Sequence, residues 1–187
     1  MKASPWQLVV AHYRTLRDRR TDESRWQDYV LFLLFPALVY AGFCVLRVRL
    51  PEGAAAGLLT AAGVLSAFFF GVMLAVAQRS LDWADTRPPR GKDTAWQADF
   101  LTEIAANAGY AGLVSIAVAA VLVSVLVTSG EAAVLLSCLA LALSLHLALM
   151  LGMVLARIYA ITANRLVKAK ADGPTGTVTP LRDRDAV

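Results

Sequence analysis

Hydrophobic positions in this chain fall into four long blocks separated by polar stretches, and within each block polar residues are scarce. The blocks run over Tyr29–Leu46, Gly53–Gln78, Ile104–Gly130 and Ala132–Ala156, and none contains Asp, Glu, Lys or Arg. A helix rises about 1.5 Å per residue, so roughly 20 apolar residues cross a hydrocarbon core of about 30 Å. Each block is therefore predicted to be a transmembrane helix, whose backbone hydrogen bonds are satisfied internally. The expected fold is an all-α integral membrane protein, a four-helix transmembrane bundle over 29–156 with an N-terminal cytoplasmic amphipathic helix.

Outside the blocks the periodicity changes. Ser4-Pro5 reads as an N-cap followed by proline at the first helical position. Trp6, Val9, Val10, Tyr13 and Leu16 then recur at helical spacing, while His12, Arg14, Arg17 and Arg19 take other faces. This basic amphipathic helix is expected to lie on the membrane surface or to dock on a partner, with Trp6, Val10, Tyr13, Arg14 and Arg17 as its contacts. Thr21–Ser24 is a polar break, and Arg25, Trp26 and Tyr29 form an interfacial collar that completes segment 1–28. In the cytoplasmic loop 79–103, Pro88-Pro89-Arg90-Gly91 is a breaker, and Thr94 caps a helix that continues into the third span. Segment 157–187 is a cytoplasmic tail whose end, rich in Gly, Pro, Thr and charge, is expected to be disordered.

Composition agrees with the blocks: 58% of residues are hydrophobic and only 17% charged, which excludes an ordinary soluble domain. The cations orient the chain. Sixteen of the 18 Lys and Arg lie before the first block, in the central loop or in the tail, and two, Arg47 and Arg49, lie between the first and second blocks. The positive-inside rule then puts both termini in the cytoplasm, and the Arg-heavy usage, fourteen Arg to four Lys, with abundant Ala fits a bacterial inner-membrane protein. The net charge of +4 reflects this topology and is matched to anionic lipid, with no nucleic-acid partner implied. No cleavable signal is expected, because the first apolar block begins only after a polar and amphipathic stretch of nearly thirty residues.

Candidate chemistry is sparse. His146 is the one titratable side chain expected at depth, and either gates, relays a proton, ligates a metal, or simply hydrogen-bonds to a neighbouring helix. Cys44 and Cys138 form no redox motif and read as packing residues. Asp82 and Asp85 read as solvated loop carboxylates. No cofactor or metal signature and no catalytic motif is present, so no enzyme is expected. Small residues recur every fourth position, as Gly63, Ala67, Gly71 and Ala75 in the second block and Ala140, Ser144, Ala148, Gly152 and Ala156 in the fourth. Such stripes permit close helix contact inside the bundle or between subunits.

The leading expectation is a non-enzymatic homo-oligomer that forms a pore or perturbs the membrane, controlled from its cytoplasmic face, with His146, Ser144, Gly63, Ala67, Gly71 and Gly152 as candidate pore or packing positions. The alternative is a membrane anchor or scaffold that recruits a soluble cytoplasmic partner. A third reading, a lipid- or quinone-handling interfacial enzyme, requires Asp82, Asp85, Asp99 and Glu103 to converge.

Overall fold

A computed structural model describes residues 4–15, 26–85 and 92–171. Among them every regular element is helical: α1 (Pro5–Thr15), α2 (Trp26–Tyr29), a π-helical turn (Val30–Leu34), α3 (Phe35–Val45), α4 (Glu52–Asp85), α5 (Lys92–Val127) and α6 (Gly130–Ala171). The Thr21–Ser24 break, the Pro88–Gly91 breaker, Arg17 and the tail beyond Ala171 lie outside the described residues. Two compact units are distinguished, Met1–Val154 and Leu155–Val187. In the second unit the described part is the C-terminal portion of α6, where Thr162 Oγ1 donates to the Ile158 carbonyl at 3.0 Å.

Three helices are long and apolar enough to cross a membrane: Glu52–Asp82 within α4, Ala98–Val127 within α5 and Gly130–Tyr159 within α6. The architecture is thus that of a membrane-embedded, multi-pass helical protein. The first block behaves differently, since its apolar helical stretch, Val30–Val45, is shorter. Its irregularity has a local cause. Pro36 has no N–H for the Phe32 carbonyl and its ring crowds that carbonyl, so the helix widens and Phe35 N–H bonds instead to the Val30 carbonyl, five residues back.

The helices outrun the hydrophobic blocks. Most of the connection 79–103 is helical: α4 continues to Asp85, and α5, expected from Thr94, begins at Lys92. Nothing between Gln78 and Asp85 breaks a helix, and the nearest prolines come only at Pro88 and Pro89.

Packing follows a seam that alternates steps of three and four. On α5 it is Ala108, Ala111, Ser115, Val118, Leu122 and Val125, all buried; on α4 the matching positions are Ala55, Ala62 and Phe69. That alternation averages 3.5 residues and keeps one face toward a neighbour. A step of four drifts by about 40° each time. The fourfold stripes therefore wind off the buried face. Ala140 is buried and Ser144 half-buried, but Ala148 and Gly152 are exposed, as are Gly63, Ala67, Gly71 and Ala75 of α4. Across the α4–α5 seam the Ser66 and Ser115 hydroxyls hydrogen-bond at 2.6 Å.

The chain leaves α3 through a Schellman turn. Val48 N–H bonds to the Phe43 carbonyl at 3.0 Å and Arg47 N–H to the Cys44 carbonyl at 3.1 Å, with Arg47 at φ 50° in the place usually taken by glycine. The Arg47 side chain then pairs with Glu131 at 3.3 Å, and the Cys138 thiol donates to the Val48 carbonyl at 3.6 Å. These contacts tie the 46–51 connection to the start of α6. Cys44 and Cys138 are free thiols.

Candidate functional site at the junction of the N-terminal helix and the bundle

The N-terminus of α1 is fixed by a reciprocal cap. Ser4 Oγ accepts from Trp6 N–H at 3.3 Å while Gln7 Oε1 accepts from Ser4 N–H at 3.1 Å, with Pro5 between them pre-set for the helix. The face that α1 turns to the bundle is Leu8, His12 and Thr15. At Gly109 of α5 the missing side chain makes room for Leu8, whose Cδ2 lies 3.1 Å from where a Cβ would stand. One turn along, His12 is 0% exposed and its Nδ1 hydrogen-bonds Asn107 Oδ1 at 2.7 Å. Thr15 Oγ1 bonds to the same Oδ1 at 2.9 Å and to the His12 carbonyl at 2.7 Å. The helical face expected to be polar and outward thus supplies the buried contact.

Asn107 and Tyr110 are one turn apart on α5 and share a face. The His12 ring stacks on Tyr110 with centroids 4.3 Å apart and planes 4° from parallel. On the far side, Tyr110 Oη and His146 Nε2 hydrogen-bond at 3.0 Å. Phe32, from the π-helical turn, closes the group edge-on to both imidazoles, at 6.5 Å from His12 and 6.4 Å from His146. Tyr29 ties the collar to α1 through a 3.3 Å bond from its hydroxyl to the Tyr13 carbonyl, and the two tyrosine rings stack at 6.2 Å. Asn107, His12, Tyr110 and His146 therefore form one aromatic and hydrogen-bonded line through α1, α5 and α6.

Two open clefts flank the line. The inner one, about 320 Å³, is bordered by Tyr13, Phe32, Pro36, Tyr40, Tyr110 and His146 together with small and aliphatic side chains. The outer one, about 310 Å³, lies against Trp6, Val9, Val10, Tyr13, Arg14 and Tyr29. Four of the five contact candidates on α1, namely Trp6, Val10, Tyr13 and Arg14, meet in this outer cleft.

The other candidates are dispersed. Ser144 lies two residues before His146, with its hydroxyl buried and lacking a hydrogen-bond partner. Gly63, Gly71 and Gly152 have nothing within 4 Å of where a Cβ would be. Of the four carboxylates required for an interfacial enzyme, Asp82 lies on α4 and Asp99 and Glu103 on α5. No group of three or more His, Cys, Asp or Glu side chains converges among the described residues. Within the line through α1, α5 and α6, Asn107 and Tyr110 carried no expectation from the sequence, and His12 was expected on a polar face of α1. The available signal was Asn107, the one carboxamide inside the apolar blocks apart from Gln78 at the edge of the second.

Comparison of the chain with protein families, with curated proteins and with solved structures finds no match to any of the three.

Proposed function

We propose that this chain is a four-span bacterial inner-membrane protein with cytoplasmic termini, working as a homo-oligomer that forms a pore or perturbs the bilayer under control of α1. The observation that carries the proposal is the open face of α4. Gly63, Ala67 and Gly71 stand uncovered on a helix whose opposite side is buried, which favours close approach by the same face of a second copy. Regulation enters through α1, whose polar seat on Asn107 exists only while that helix is docked.

Four crossings are supported by where the chain makes its contacts. The α1 helix meets α5 at Asn107 and Gly109, whereas Arg47 meets Glu131, past the other end of α5. About 20 residues of α5, or roughly 30 Å, separate those levels. The segment Trp26–Val45, with 4, 5 and 11 residues in its three parts, covers the same distance. The distribution of Lys and Arg favours the α1 end as the cytoplasmic one.

Purified protein in liposomes tests the proposal. Ion flux that rises when Asn107→Leu releases α1, and falls when Gly71→Leu blocks the α4 face, is the expected result. Liposomes that stay tight with wild type and both variants, the protein being folded, would rule out the pore.

A scaffold role is the second reading, favoured by Trp6, 69% exposed beside the outer cleft. It requires a soluble partner that survives detergent extraction and is lost when Trp6 and Val10 are both changed to Asp. A partner retained by that variant would exclude this surface.

A further inference from the structure

We infer that Cys44 and Cys138 are a disulfide-forming pair, which joins the C-terminal end of α3 to α6 by exchange with a disulfide-bearing oxidant. No Cys-x-x-Cys motif announces the pair, because the two residues lie in different apolar blocks. The fold brings them together. The Schellman turn folds Val48 back over the end of α3, and the Val48 carbonyl then accepts a bond from the Cys138 thiol at 3.6 Å. Arg47 reaches Glu131, two turns before Cys138 on the same face of α6, so the two elements run alongside each other here. The two thiols lie within hydrogen-bonding reach of one another, and the Tyr40 hydroxyl, one turn before Cys44, bonds to the Cys44 thiol.

Burial divides the work between the sulfurs. Cys138 is 0% exposed, whereas Cys44 is half-buried beside the exposed Val45 and Leu46. Cys44 therefore meets the oxidant first. Its thiolate attacks one sulfur of the incoming disulfide, forming a mixed disulfide and expelling one thiolate. The Cys138 thiolate then attacks Sγ of Cys44, the new bond closes the bridge, and the second thiolate leaves. The two protons given up by the cysteines end on the two released thiols, and their two electrons reduce the incoming disulfide. Closure draws two neighbouring sulfurs to a bond of about 2 Å. The bridge reinforces a weakly held junction. No residue of α3 beyond Pro36 is buried, and the Arg47–Glu131 pair is exposed on both partners, where an ion pair contributes little. A tie between residues so distant in sequence closes a long loop, where the chain-entropy gain is greatest. Disulfides persist outside the cytoplasm, and that this end lies there rests on the orientation proposed above.

The test uses the full chain, one copy per nanodisc, reduced and then treated with oxidised glutathione. The reagent reaches both faces of the disc, so the result is independent of orientation and of assembly. Mass spectrometry after blocking of residual thiols is the readout. Wild type is expected to lose both free thiols together, to carry no glutathione, and to yield a peptide linking Cys44 to Cys138. Cys138→Ser should instead keep glutathione on Cys44, and Cys44→Ser, with its remaining thiol buried, should react about tenfold more slowly than Cys138→Ser. Hydrogen exchange of the Arg47 and Val48 amides should slow about tenfold on closure and recover with dithiothreitol. The wild-type products decide the matter should either variant fail to fold. A stable glutathione adduct on Cys44 of wild type, two thiols left free under conditions that oxidise the denatured chain, equal rates in the two folded variants, or exchange unchanged by closure would each overturn the assignment.

Discussion

Gly109 of α5 and Gly71 of α4 are both glycines in long apolar helices, yet their surroundings are opposite. At Gly109 a side chain of α1 already occupies the space, with Leu8 3.1 Å from the position of a Cβ. At Gly71, as at Gly63, nothing stands within 4 Å. The closed junction also holds polar groups that only a docked partner satisfies, namely His12, Thr15 and Asn107. The open face of α4 carries small side chains beside the exposed Phe70 and Leu74, and no polar demand. A missing Cβ therefore marks where a close neighbour fits, and a buried polar group marks which neighbour is required.

The strongest way to break this contrast is to remove the polar demand. Asn107→Leu deletes the oxygen that binds both His12 and Thr15, and should weaken docking of α1 by about 2–3 kcal/mol. Hydrogen exchange of the α1 amides in nanodiscs should then accelerate, while the cores of α4 and α5 keep their protection. Unchanged exchange in α1 would mean that apolar contact alone seats the helix.

Filling the closed glycine comes next. Gly109→Val forces Leu8 aside at about 1–3 kcal/mol, and Leu8→Ala in the same chain should restore most of the loss. Failure of that rescue would place the strain elsewhere than at Leu8. A smaller effect is expected at the α4–α5 seam, where Ser115→Ala removes the 2.6 Å bond to Ser66 at about 0.6 kcal/mol in thermal unfolding. The open face should respond least within one copy: Gly71→Leu is expected to change monomer stability by no more than about 0.5 kcal/mol, and a larger loss would show that the face is already covered.

The contrast also explains what the sequence made legible. Helical class and the three long apolar segments follow from run length, because lipid leaves a backbone few options. Element ends were less visible. Hydrophobicity stops at Gln78 whereas α4 ends at Asp85, since helix formation depends on the absence of breakers more than on hydropathy; the start of α5 at Lys92, two residues before Thr94, was closer to the expectation. The π-helical turn before Pro36 was foreshadowed by the proline, but its effect on helix width was not. The small-residue stripes did not mark the seam inside one copy, because the buried seam follows 3.5 residues whereas the stripes follow four. His146 stood out as a lone ionisable group, but its partner Tyr110 reads from sequence as an ordinary aromatic. His12 was assigned to the polar face of an isolated amphipathic helix. Only Asn107, an amide within an apolar block, announced that some other polar group had to reach it.

Cysteine cross-linking in native membranes measures directly whether the α4 face meets a second copy of itself. With Cys44 and Cys138 replaced by Ser, single cysteines at Gly63, Ala67 and Gly71 should give inter-subunit disulfides on mild oxidation. Cysteines at Ala54 and Ala61, also exposed but turned by about 80° or more around the helix from each of those three, should not. Cross-links as strong at positions 54 and 61 as at 63, 67 and 71, or none at any of the five, would contradict assembly through this face.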